Sequence, residues 1–191
     1  MHSETPHRDE TSSARPWISP GLVHDDEVLL RTLLDPDHVQ NGQLVETGIA
    51  LKDLRSRGYS LDRRRYTSKW RVFLYQWRRL RRAQRSADSE RKAFIGVLHT
   101  RRVRGLIAAD TQRAFVAIDK PLLLNLAHAE ILSAIQRTEG QARQLRKQLV
   151  PEIRVVTLSQ AFNDGHSFGW LRGHCHALRS CWRHLRTKLS L

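Results

Sequence analysis

Cysteine is almost missing from this chain. Cys175 and Cys181 are the only two in 191 residues, six positions apart, which is too few for a disulfide framework. No run of about 18 apolar residues exists, so no membrane span is expected. The first twenty residues (MHSETPHRDETSSARPWISP) lack the apolar stretch of a secretion signal. These absences make the cytoplasm the expected location. Acidic residues are also missing from whole stretches: none lies between Lys69 and Ala87, and none follows Asp164.

What is present is arginine. Lys and Arg total 33 against 19 acids, a net charge of +14, and the excess is unevenly placed. Residues 1–51 carry 3 basic and 9 acidic side chains, residues 52–104 carry 18 and 4, and residues 105–191 carry 12 and 6. The middle third alone therefore equals the excess of the whole chain. Concentrated positive charge repels itself in a compact fold, so a polyanionic partner, DNA or RNA, is expected. A composition bias toward Arg explains the preference over Lys but not the clustering.

Residues 1–20 are rich in Ser, Thr and Pro and read as a flexible tail, with residues 21–191 as a single domain. Asp25-Asp26 reads as the cap of a short helix over DDEVLLRTLLD, and Pro36 and Asn41-Gly42 mark turns. GYSLDRRRY reads as a turn into a strand. Thr67 or Ser68 caps a long helix running to about Ala83. FIGVLHT (94–100) reads as a strand, and VRGLIAADTQRAFVAID as a hairpin turning at Asp110-Thr111-Gln112. Asn125 caps a predicted helix from Leu126 to Thr138. Gly140 interrupts it and Pro151 stops the next helical piece. IRVVTLS (153–159) reads as a strand, and a last helix covers 171–189. The expected fold class is α+β: a small, mainly antiparallel sheet with three main helices, two of them basic and amphipathic.

In the long helix Trp70, Phe73, Trp77 and Leu80 are spaced as an apolar stripe. Arg71, Tyr75, Arg78, Arg82 and Arg85 form a second stripe, and Arg71 to Arg85 spans roughly 21 Å at helical rise. Like charges four apart destabilise an isolated helix, and phosphates relieve that repulsion. Tyr75 is placed to stack on a base or ribose. The C-terminal segment repeats the scheme: Leu171, Cys175, Leu178, Trp182, Leu185 and Leu189 are apolar, with Arg172, Arg179, Arg183 and Arg186 one position on. The apolar spacing suits packing along another helix, a protein partner or a second copy of the chain. Arg63, Arg64 and Arg65 add a third basic group, in SLDRRRY.

Three short patterns carry possible chemistry. LAHAEIL resembles the H-A-E signature of zinc-dependent nucleoside and base deaminases, which implies His128 as a zinc ligand and Glu130 as a proton shuttle. The P-C-x-x-C half of that signature is missing. GHSFG matches G-x-S-x-G, but no buried strand leads into Ser167 and no acid follows Asp164, so it reads as a loop. His174, Cys175, His176, Cys181 and His184 show no structural-zinc spacing. No cofactor or metal is expected. The series LLDPDHVQNGQLVETGIAL, GYSLDRRRY and LAHAEIL resembles short bacterial proteins without an assigned activity, which implies a prokaryotic source and carries over no site.

The expected function is therefore nucleic-acid binding within a multicomponent assembly. The contacts are Arg63, Arg64, Arg65, Arg71, Tyr75, Arg78, Arg82, Arg85, Arg172, Arg179, Arg183 and Arg186. The competing readings are an enzyme acting on nucleic acid or by hydrolysis, through His128 and Glu130 or Ser167, and a structural subunit gripping an acidic protein.

Overall fold

Val28–Asp35 forms strand β1, in the middle of a six-stranded sheet. The structure is a computed structural model, and its described residues are 10–11, 20–85 and 90–163. Beyond β1 these residues form β2 (Val39–Gln40), β3 (Gln43–Leu44), β4 (Tyr59–Arg63), α1 (Lys69–Gln84), β5 (Lys92–His99) and α2 (Thr100–Arg104). They continue with β6 (Phe115–Asp119), β7 (His128–Ser133), α3 (Glu139–Leu149), β8 (Arg154–Val156) and α4 (Leu158–Phe162). The large sheet runs β6-β7-β4-β1-β5-β8, and every neighbouring pair is antiparallel. β2 and β3 make a separate hairpin, whose turn places Asn41 at φ 52° and Gly42 at φ 75°. Positive φ at both positions is what a two-residue hairpin turn requires.

Both faces of the sheet are covered near its centre. Leu29 and Leu33 of β1 join Tyr59, Leu61, Leu98, Phe115, Ala129 and Ile131 in the larger core, which Leu145 and Leu149 of α3 close. Leu30 points into a smaller cluster with Ile95, Val97, Val72 of α1 and Ala161 of α4. A strand buried on both faces reads as a continuous apolar run. The run Val28-Leu29-Leu30 and Leu33-Leu34 fits helical spacing equally well, so the helix expected over residues 25–35 is instead β1.

The helix expected from Leu126 to Thr138 is also a strand. Ala129 pairs with Leu61 of β4 on one side and Asp119 of β6 on the other. Two ladders override the helix preference of its Ala, Leu and Glu residues. Alternation then places His128 and Glu130 on one face, whereas a helix would separate them. The hairpin expected over 103–119 starts inside α2 and pairs only around its turn at Asp110–Thr111, where Ile107 bridges Arg113 and Thr111 has φ 62°. Gly140 sits inside the first turn of α3, which Thr138 caps through a reciprocal bond with Gln141. The helix expected over 171–189 and the GHSFG motif lie outside the described residues.

Glu10, within the segment expected to be a flexible tail, is fully buried. Its carboxylate accepts from the Ala117 amide at 2.8 Å and from Arg104 Nε at 3.1 Å. The Arg104 guanidinium also pairs with Asp25 and donates to the Val23 carbonyl at 2.6 Å. Residue 10 is thus an internal counter-ion of the domain.

Candidate nucleic-acid interface

α1 begins where Ser68 accepts a bond from the Arg71 amide, 3.2 Å away, satisfying one of the free donors of the first turn. The line of α1 turned to the sheet is Val72, Gln76 and Arg79. Val72 fills the smaller core, Gln76 Nε2 donates to the Phe94 carbonyl of β5 at 3.1 Å, and Arg79 Nη1 donates to the Thr32 carbonyl of β1 at 2.9 Å. At 3.6 residues per turn this line leaves two flanks, each roughly 100° from it. One carries Trp70, Phe73, Trp77 and Leu80. The other carries Arg71, Tyr75, Arg78, Arg82 and Arg85.

The apolar flank is not the side of α1 that is buried. Trp70 is 65% exposed, Phe73 41% and Trp77 46%. Trp70 and Phe73 stack on each other with centroids 5.3 Å apart, and the Arg81 guanidinium lies 5.2 Å above the Trp77 ring. Arg81 had no expected role. Polar anchors explain the difference, because Gln76 and Arg79 hold the helix through main-chain carbonyls that a hydrophobic pattern does not register.

On the opposite flank the expected ladder is open to solvent. Arg78, Arg82 and Arg85 are exposed, and among the described residues none of them forms an ion pair. Tyr75 is 53% exposed, with the Arg79 guanidinium 5.9 Å from its ring. Arg71 is half-buried and donates to the Leu124 carbonyl at the tip of the β6–β7 hairpin. Burial and the neighbouring charge of Arg31 lower the pKa of Arg79, consistent with its place on the buried line.

The three arginines of SLDRRRY separate completely. Arg65 is exposed, and Arg64 is half-buried, 5.7 Å from the Phe162 ring. Arg63 is fully buried. Its Nε donates to Glu27 at 2.7 Å, Nη1 to the Gly21 carbonyl at 2.7 Å and to Asp119 at 3.0 Å, and Nη2 to the Leu22 carbonyl at 3.1 Å and to Glu27. All five N–H donors are used, and the Tyr66 ring lies 4.6 Å away. Burial opposes its charge, but the bond to Glu27 and the charges of Glu27 and Asp119 outweigh that and raise its pKa. Arg63 is therefore removed from the expected phosphate contacts. Arg172, Arg179, Arg183 and Arg186 lie outside the described residues.

His128 and Glu130 share a face of β7, but both are committed to structure. The His128 ring Nδ1 lies 2.8 Å from the Lys120 carbonyl, and Glu130 pairs with Lys120 Nζ at 2.7 Å. Nearby Asn125, expected as a helix cap, donates to Asp62 at 2.6 Å. Among the described residues no three His, Cys, Asp or Glu side chains group in a way that could hold a metal, so the zinc role implied by the deaminase resemblance gains no support there. No helix among them is long and apolar enough to cross a membrane. No model of a known protein family matches the chain, and no curated protein or solved structure is significantly similar to it.

Proposed function

We propose that this protein binds nucleic acid through the phosphate backbone, using the Tyr75–Arg78–Arg82–Arg85 flank of α1 together with exposed Arg65 in the turn ahead of the helix. The observation that carries this reading is a solvent-facing row of arginines that, among the described residues, has no acid partners, on a helix whose own sequence contains no acid. An unpaired row of like charges destabilises an isolated helix and is relieved when phosphates replace counterions. Exposed Tyr75 within the row offers a ring for stacking on an unpaired base. The contacts are to phosphate and ring faces, so binding is expected to be nearly indifferent to sequence.

The test is binding of fluorescent 20-nucleotide single strands and duplexes across a salt series. With four arginines engaged, log K against log salt is expected to fall with a slope of about −3 on single strands and about −3.6 on duplexes. Arg78→Glu with Arg82→Glu should abolish binding while the melting curve keeps its shape. Affinity independent of salt, or unchanged in that double variant, overturns the reading.

A further inference from the structure

Trp70, Phe73 and Trp77 form an exposed aromatic row on α1, continued by half-buried Leu80. A contiguous apolar row on a protein surface marks an interface. Its direction follows from the sheet order. Arg71, on the opposite flank, bonds to Leu124 in the hairpin between β6 and β7, at one side of the sheet, while β8 forms the other edge. The aromatic row therefore faces the β8 side. There α4 follows β8 and packs against α1, Ala161 sharing a cluster with Val72. The Phe162 ring lies 5.7 Å from the guanidinium of Arg64, just ahead of α1. The described chain thus ends at Asn163 close to the N-terminal end of α1, on the side the aromatic row faces.

The sequence continues for 28 residues, 164–191, outside the described part. It carries Leu171, Cys175, Leu178, Trp182, Leu185 and Leu189, spaced 4, 3, 4, 3, 4. At helical rise that row is roughly 27 Å long, against roughly 15 Å from Trp70 to Leu80, so its first three turns cover the aromatic row and the rest runs on past Leu80. Two rows that both alternate three and four residues mesh in the shallow crossing of paired helices. Residues 164–170 reach at most about 23 Å, enough to bring Leu171 to the near end of α1 without tension.

We propose that segment 171–189 docks by its apolar row onto the Trp70–Phe73–Trp77–Leu80 flank of α1 in the same chain, running parallel to it. Leu171 then starts beside Trp70, and Cys175 lies beside Phe73. Docking leaves the arginine flank of α1 uncovered, and it stands or falls without any nucleic acid present.

The experiment uses the full chain in two parts, without nucleic acid. In a Cys181→Ser background, Phe73→Cys and Gln84→Cys variants are oxidised at low protein concentration, and the product is mapped by mass spectrometry. A disulfide between position 73 and Cys175 within one chain, with none from position 84, is the expected result. In the second part, Leu178→Glu with Leu185→Glu breaks the row while keeping every tryptophan and leaving α1 untouched. Acrylamide quenching of tryptophan should rise, and trypsin should cut within 172–186 about tenfold faster. A link from position 84 instead of 73 overturns the parallel arrangement. Links only between two chains, growing with concentration, overturn the proposal in favour of a second copy. No link from either position, with quenching and cleavage unchanged by the double variant, overturns it outright.

Discussion

Arg79 donates from Nη1 to the main-chain carbonyl of Thr32, 2.9 Å away, and this bond helps set the rotation of α1 on the sheet. Its neighbour Arg78 is exposed and makes no ion pair among the described residues. Adjacent arginines therefore have opposite expected phenotypes. Arg79→Leu should lower stability by about 1–3 kcal/mol, because a charge-assisted bond is lost and the Thr32 carbonyl is left unpaired. Arg78→Leu should melt within about 1 °C of wild type, as exposed substitutions do, yet bind oligonucleotides more weakly and with a shallower salt slope. Thermal melts and salt-titrated anisotropy on the pair separate the two roles. Equal melting temperatures for both variants contradict the assignment.

Arg63 is expected to behave as a core residue. Arg63→Met takes the guanidinium away from the buried carboxylates of Glu27 and Asp119 and from the carbonyls of Gly21 and Leu22. Breaking a buried charge network in this way costs about 3–5 kcal/mol, which lowers the melting temperature by roughly 10 °C in a chain of this size. Arg65→Met, two positions on and exposed, should leave it nearly unchanged. Circular dichroism melts decide this, and an Arg63→Met protein as stable as wild type contradicts the role assigned to the network.

These cases show which parts of the fold were legible in the sequence. Ser68 ahead of α1, Asn41-Gly42 between β2 and β3, and Gly58 before β4 act through local backbone chemistry, and each boundary was read correctly. β1 and β7 were misread because their strand character comes from partners on both sides, which a single segment does not reveal. The side of α1 that is buried depends on carbonyls supplied by β1 and β5. Arg63 looked like its neighbours because its acids lie 36 and 56 positions away. The exposed row Arg78, Arg82 and Arg85 was legible for the converse reason: no acid lies between Lys69 and Ala87, and among the described residues none pairs with the row.

Gly58 precedes β4 at φ +85°, and a Cβ built there would lie 2.2 Å from Glu130 Oε2 and 2.7 Å from the Glu130 Cβ. Gly58→Ala thus meets both a disfavoured backbone angle and a side chain that is itself held by Lys120. A loss of about 2 kcal/mol or more is expected. Gly140 offers the opposite case, being helical with nothing within 4 Å of its Cβ position. Gly140→Ala should stabilise by up to about 1 kcal/mol. Urea unfolding of both variants gives the signs directly, and a destabilised Gly140→Ala contradicts the open space described there.

Burial pushes the Asp119 carboxyl up to about 6, although the charge and hydrogen bond of Arg63 pull it down and Glu27 adds to the rise. An unfolded aspartate titrates near about 3.9. Between those values the folded protein holds a proton that the unfolded chain has released. The stability contributed by this group is therefore fully present below about pH 4 and is lost as pH rises to about 6. A shift of two units sets an upper bound near 3 kcal/mol. Asp119→Asn keeps an oxygen for Arg63 Nη1 and does not ionise, so it fixes the protonated condition at every pH. The melting temperature of Asp119→Asn minus that of wild type is expected to grow between pH 4 and 6, by roughly 5 °C, and to stay flat from pH 6 to 8. A difference that is constant from pH 4 to 8 contradicts the raised pKa, and one that shrinks with rising pH reverses its sign.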